Sequence, residues 1–254
     1  VNYLQNFSLE NKIALITGGG TGIGFAIAQA MYEAGATIII TGRRETLLKE
    51  ATEKLGKRAN YVVNDVTDLA KLPILINEIE NNFGNIDILV NNAGINLKKP
   101  SLEVTDEEFQ QIIFTNLNAV FSLTREVAKK MIERKSGSII MISSMVAYYG
   151  IDRVAAYAAS KTGLYGMVRV MASEYSPFGV RVNAIAPGFI ETPMMKTAMS
   201  GDPARMNKAL QRTPMNKFGK PEDIGNASVF LASEAASYIT GVSLPVDGGN
   251  SIGF

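Results

Sequence analysis

Short apolar runs recur along this 254-residue chain, at residues 13–16, 37–40, 61–63, 86–90, 138–142, 180–185 and 242–246. They are predominantly apolar, and each reads as a strand buried in a parallel sheet. Between them, residues 25–34, 69–83, 109–132 and 154–175 carry apolar side chains at the three-and-four spacing of a helix face. This alternation predicts an α/β fold, a doubly wound parallel sheet of seven strands with helices on both sides.

A sheet of that size fits one large domain, and composition supports it. Hydrophobic residues make up 46% and charged residues 19%, too apolar for disorder. No linker, charge block or repeat divides the chain, so residues 1–254 read as a single domain. Residues 191–214 are the irregular stretch. Met194, Met195 and Met199 with Gly201 and Pro203 suit either a lid over a site or a surface helical excursion.

Charge and missing residue types narrow the function. The 25 basic and 24 acidic residues leave a net charge of +1, so no global field draws nucleic acid or an anionic membrane. Cysteine and histidine are both absent. That removes disulfides, thiolate nucleophiles, Cys/His metal sites and a His-based triad, and no metal is expected. Residues 1–10 show no basic start before an apolar stretch, and no apolar run is long enough to span a bilayer, so a cytoplasmic protein is expected.

The first strand is followed by Thr17-Gly18-Gly19-Gly20-Thr21-Gly22-Ile23-Gly24, and then by a helical pattern. Glycines let a backbone turn tightly against a pyrophosphate, and the helix start offers free N–H groups and a positive dipole end. The turn therefore reads as a Rossmann-type dinucleotide cradle, although Gly18-x3-Gly22-x-Gly24 is not the strict G-x-G-x-x-G spacing. The second strand runs into Ile40-Thr41-Gly42-Arg43-Arg44, where an NAD site usually places an acid. Two guanidiniums there pair with a 2′-phosphate, which favours NADP over NAD. The other reading makes Arg43 and Arg44 solvated charges at a helix start and leaves Glu45 to take the ribose.

Tyr157 and Lys161 stand four apart in Ala155-Ala156-Tyr157-Ala158-Ala159-Ser160-Lys161, so they share one helix face. A cation within about 4–6 Å stabilises a phenolate and brings the tyrosine toward the working pH, as an acid or base needs. Tyr-x-x-x-Lys spacing is common by chance, and its company matters more. Ser144 is expected to end the fifth strand, where open sheets hold ligands, and can donate to a substrate oxygen. Asn116, in the preceding helix, could hold a water near Lys161.

Taken in order, Thr17-Gly18 through Gly24, Asn91-Asn92-Ala93-Gly94, Asn116, Ser144, Tyr157 with Lys161, and Pro187-Gly188 resemble a short-chain dehydrogenase/reductase over essentially the whole chain. The resemblance implies a tyrosine acid/base, a lysine that lowers its pKa and binds the nicotinamide ribose, a serine on the carbonyl and an asparagine in a proton relay. It further implies that Asp65 and Val66 contact adenine, that Asn92, Ala93 and Gly94 line the cofactor, and that Ile190 and Thr192 hold the carboxamide. From the residues alone, 91–94 and Pro187-Gly188 are turns that end strands. The closing Val246-Asp247-Gly248-Gly249 is also similar to the family, whose members commonly form tetramers.

Lys98 and Lys99 follow the Asn-Asn-Ala-Gly turn, and Arg153 lies between Ser144 and Tyr157, segments that border the substrate in this family. Such cations can pair with a substrate carboxylate, while solvated surface charge is the ordinary role of each one taken singly. Residues 91–100 with 144–161 resemble gluconate 5-dehydrogenases and related sugar-acid dehydrogenases, which implies a small carbonyl or alcohol substrate such as 5-ketogluconate or gluconate. A 3-oxoacyl carrier-protein reductase shares every catalytic position and is the alternative enzyme. A catalytically silent NADP-binding regulator would need the nucleotide turn but no Tyr/Lys pair.

Overall fold

In the computed structural model, residues 3–193, 195 and 201–253 are described. Strands β1 (Ile13–Thr17), β2 (Thr37–Gly42), β3 (Ala59–Val63), β4 (Ile88–Asn91), β5 (Gly137–Ile142), β6 (Val180–Pro187) and β7 (Ser243–Val246) form one sheet. Its order is β3-β2-β1-β4-β5-β6-β7, with every pair parallel. The chain reverses its progress across the sheet between β1 and β4, and such a switch opens a crevice beyond the strand C-termini.

Successive strand residues feed opposite layers. Ala14 and Ile16 of β1 pack with Ile38 and Ile40 against helices α1 (Gly22–Glu33) and α2 (Glu45–Leu55). Leu15 turns the other way, with Ile39, Leu89 and Ile139, against α3 (Leu72–Phe83), α5 (Ala119–Arg134) and α6 (Ala155–Tyr175). Leu15, Ile16, Ile39 and Ile40 are fully buried, each contributing roughly 1.5–3 kcal/mol of transfer free energy. Both faces of each central strand are covered, which is why the runs are predominantly apolar.

The seven expected strands are present, with ends shifted for identifiable reasons. β4 begins at Ile88, and the two residues before it serve as anchors. Asp87 Oδ2 accepts the Ile13 N–H at 2.9 Å, and the Ile86 carbonyl accepts from Arg134 at 2.6 Å. β2 runs on to Gly42, which pairs in register with Val63.

The single helix expected over 109–132 is three pieces. α4 (Asp106–Ile113) starts with a reciprocal cap: the Glu108 N–H donates to Thr105 Oγ1 at 3.2 Å, and the Thr105 N–H donates to Glu108 Oε2 at 2.9 Å. A π turn, Phe114–Asn118, then joins α4 to α5 and carries Asn116. Within 191–214, a helix spans Pro203–Arg212, while Met194 and Met199 lie outside the described residues. Among the described residues, no helix is long and apolar enough to cross a membrane.

Candidate active site

The glycine turn is built so that two backbone segments nearly touch. A Cβ on Gly24 would come within 2.5 Å of Asn92 Nδ2 and closer still to the Gly18 carbonyl, so only glycine fits. Gly18 has φ +66°, a left-handed conformation that glycine adopts without strain, and its N–H donates to the Thr41 carbonyl at 2.7 Å. α1 begins at Gly22 with no side-chain cap from Thr21, which leaves its first N–H groups for a ligand. Asn92 secures the turn from the next strand. Its Nδ2 donates to the carbonyls of Thr17 at 2.9 Å and Gly18 at 3.2 Å, while Thr17 Oγ1 accepts the N–H groups of Asn92 and Ala93.

A cavity of about 740 Å³ opens beyond the strand ends. Around it stand Gly18, Thr21, Gly22, Ile23 and Gly24 of the turn; Arg43, Arg44, Asp65 and Val66 at the ends of β2 and β3; Asn92, Ala93 and Gly94 after β4; and Pro187, Gly188, Ile190 and Thr192 after β6. Two further groups fit these residues to a dinucleotide. Thr41 Oγ1 and Asn64 Nδ2 are buried without hydrogen-bond partners, and both residues line the cavity. Arg43 lies 3.9 Å from Asp65, whose carboxyl is held below its usual range first by the Thr67 backbone N–H, then by the Thr67 hydroxyl and Arg43. Glu45 is turned elsewhere, accepting the Tyr61 hydroxyl at 3.3 Å, and does not line the cavity.

Ser144, Tyr157 and Lys161 line the same cavity. Ser144 falls two residues past β5 rather than ending it, and its Oγ accepts the Val146 N–H at 3.4 Å. Tyr157 sits in the first turn of α6 with Lys161 one turn on, Nζ 5.6 Å from the ring centroid. Lys161 Nζ donates to the Ile142 carbonyl at 2.8 Å, and Ser143 Oγ donates to the Lys161 carbonyl at 3.0 Å, so the strand end and the helix hold each other.

The expected lowering of the phenol is corrected. Burial pushes Tyr157 above its ordinary value, with Ser144 acting only partly against it. Burial instead lowers the Lys161 ammonium to about 8. Asn116 is fully buried and bonded on both sides of its amide. Its Oδ1 accepts the Ile95 N–H at 2.8 Å, and its Nδ2 donates to the Ile95 carbonyl at 2.8 Å and to Ser160 Oγ at 3.2 Å. It does not line the cavity, and Gly94 separates it from Lys161: a Cβ there would lie 3.1 Å from Asn116 Oδ1 and 3.6 Å from Lys161 Nζ.

The three cations expected at the substrate are corrected too. Lys98, Lys99 and Arg153 do not line the cavity. Lys99 pairs with Glu108 at 2.8 Å, Lys98 approaches Asp202 at 4.0 Å, and exposed Arg153 uses its carbonyl to accept the Lys99 N–H. Sequence reasoning missed Thr41, Asn64, Asn96 and Arg205, all of which line the cavity. The first two could have been found as polar residues at or just past strand C-termini; Arg205 has no such signal.

A family model described as enoyl-(acyl carrier protein) reductase matches residues 18–251. A 3-oxoacyl-(acyl-carrier-protein) reductase, FabG, from Thermotoga maritima is 41% identical over 245 residues, covering 95% of this chain and 98% of its own. A 2-dehydro-3-deoxy-D-gluconate 5-dehydrogenase from Pseudoalteromonas atlantica is 41% identical over 250 residues, with 97% and 98% covered. Among solved structures, gluconate 5-dehydrogenase from Burkholderia cenocepacia, in complex with NADP and tartrate, matches with a TM-score of 0.93 at 35% identity, covering 99% of both chains. Structural neighbours of this family have NADP bound. With its sheet order, glycine turn and full-length matches in agreement, the chain belongs to the short-chain dehydrogenase/reductase family, oxidoreductases that act on CH–OH donors.

Proposed function

We propose that this protein is an NADP-dependent oxidoreductase interconverting an alcohol and a ketone on a sugar acid, such as gluconate and 5-ketogluconate, with Tyr157 as the acid and base. The observation that carries the reading is the meeting of Ser144, Tyr157 and Lys161 in one cavity with the glycine turn. A bound nicotinamide supplies or accepts the hydride. Ser144 donates a hydrogen bond to the reacting oxygen and fixes its position. In reduction, Tyr157 gives its phenolic proton to that oxygen; in oxidation, it takes the proton back. Burial keeps the phenol protonated, and Lys161, with a pKa of about 8, still carries its charge at neutral pH. That charge stabilises the phenolate that proton donation creates, an interaction stronger in the transition state than before it. Asn116 acts as a positioning residue, pinning the Ile95 backbone against α6.

Arg43 and Arg44 support NADP through the 2′-phosphate, and Thr41 and Asn64 offer polar groups at the same end. Val146, Ile151, Val154, Phe189 and Met195 give the remaining cavity apolar walls that exclude water. Pro193, Met195 and Arg205 stand where a cover over the substrate is needed, in line with the lid reading of 191–214. Exposed Phe109, Phe114 and Phe121 on the stretch from α4 to α5 suit the homotetramer that the family resemblance implies. A second reading, 3-oxoacyl carrier-protein reductase, is favoured by the FabG relative, as similar in sequence as the gluconate-type one.

A substrate panel followed by nicotinamide absorbance tests the proposal. Gluconate oxidation with NADP, 5-ketogluconate reduction with NADPH, and weaker activity with NAD(H) are expected. Turnover of an acetoacetyl thioester without either sugar acid would select the second reading, and equal use of NAD would refute the role given to Arg43 and Arg44.

A further inference from the structure

We infer that Arg205 recognises the carboxylate of the substrate; the inference rests on the sugar-acid reading and assigns it a residue. A carboxylate entering a partly desolvated cavity needs a counter-charge. Among the described residues, four cations line this cavity: Arg43, Arg44, Lys161 and Arg205. Arg43 and Arg44 stand at the end of β2 near Asp65, on the nucleotide side. Lys161 is committed to the Ile142 carbonyl and to Tyr157. The three cations that flank the substrate segments in sequence do not reach the cavity.

The start of helix Pro203–Arg212 is held next to the segment after β4. Asp202 Oδ1 accepts the Arg205 N–H at 3.0 Å, while Asp202 Oδ2 lies 4.0 Å from Lys98 Nζ. Helix start and the segment after β4 are thereby brought together, and Asn96 of that segment lines the cavity with Arg205. Among the described residues, the guanidinium is uncommitted. Other half-buried arginines spend theirs internally: Arg134 on Glu80 and the Ile86 carbonyl, Arg181 on the carbonyls of Leu231, Ala232 and Ser233, and Arg212 on the Asn250 carbonyl and the Tyr149 ring. Arg205, equally half-buried, makes no ion pair or side-chain hydrogen bond among the described residues. A planar fork of donors facing a cavity is suited to bidentate pairing with a carboxylate. Arg205 would then hold the acid end of the sugar acid while Ser144 and Tyr157 engage the reacting hydroxyl.

The test uses the NADP-loaded enzyme, its R205M and R205K variants, gluconate, and the neutral polyol D-glucitol of the same chain length. Binding is read by calorimetry, and KM and kcat are measured for gluconate. In R205M, the preference for gluconate over D-glucitol falls by roughly tenfold to a hundredfold, the loss appears in KM more than kcat, and R205K recovers part of it. Equal loss for both ligands, undiminished gluconate binding in R205M, or no gluconate binding by the parent overturns the assignment. Arg205-dependent gluconate binding without turnover would keep the carboxylate site and sink the sugar-acid reading instead.

Discussion

Lys161 is a cation kept where water scarcely reaches it: 5% exposed, with Nζ bonded to one backbone carbonyl. Its pKa of about 8, against an ordinary 10.5, means that the folded chain disfavours the charged form. Below pH 8 the residue therefore costs stability in full, and the cost fades as pH rises from about 8 to 10.5. At about 1.36 kcal/mol for each pH unit between those two values, the cost is roughly 3 kcal/mol, part of which is offset by the bond to Ile142. In denaturant unfolding without cofactor, K161M is expected to be more stable than the parent by roughly 2 kcal/mol at about pH 7. That advantage should shrink by about pH 10; a gap that does not change with pH would refute the buried charge. Tyr157 and Lys161 were legible because a spacing of four in a helix fixes their relation. Lys98, Lys99 and Arg153 misled because closeness in sequence does not set where a side chain points, and Glu108 and Asp202 claim the two lysines.

At the scale of elements, the strands were legible because burial on both faces writes itself as predominantly apolar runs, continuous at residues 13–16 and 38–40. Their ends were less so: Ile86 extends the apolar run of β4, yet it lies before the strand, and its carbonyl accepts from Arg134. The π turn at Phe114–Asn118 was invisible, because one extra residue per turn barely disturbs apolar spacing over 109–132. The glycine turn shows the opposite case, in which a residue type declares its geometry. Gly24→Ala places a methyl against Asn92 Nδ2 and the Gly18 carbonyl, forcing the β1–α1 turn away from the segment after β4. The expected result is a loss of about 1–3 kcal/mol of stability and NADPH binding weakened by about tenfold or more, read by denaturation and by fluorescence titration. Unaltered binding would show that the close approach does not shape the cofactor site.

On the scale of the whole molecule, the sheet order does what no local pattern reveals. It brings the ends of β1 through β6 around one crevice, and so gathers residues from Gly18 to Arg205 into one cavity. The glycine turn and the residues after β2, β3, β4 and β6 were readable as cavity lining because each follows a strand. Arg205 was not, because its place depends on how helix Pro203–Arg212 folds back over the segment after β4. The central claim is that this assembly moves a proton through Tyr157 while the rest of the cavity holds the cofactor. Y157F tests it most directly, with NADPH affinity measured by fluorescence and turnover of the best panel substrate measured by absorbance. Affinity close to that of the parent with turnover reduced by about a hundredfold or more is the predicted result; turnover undiminished at normal affinity would contradict it.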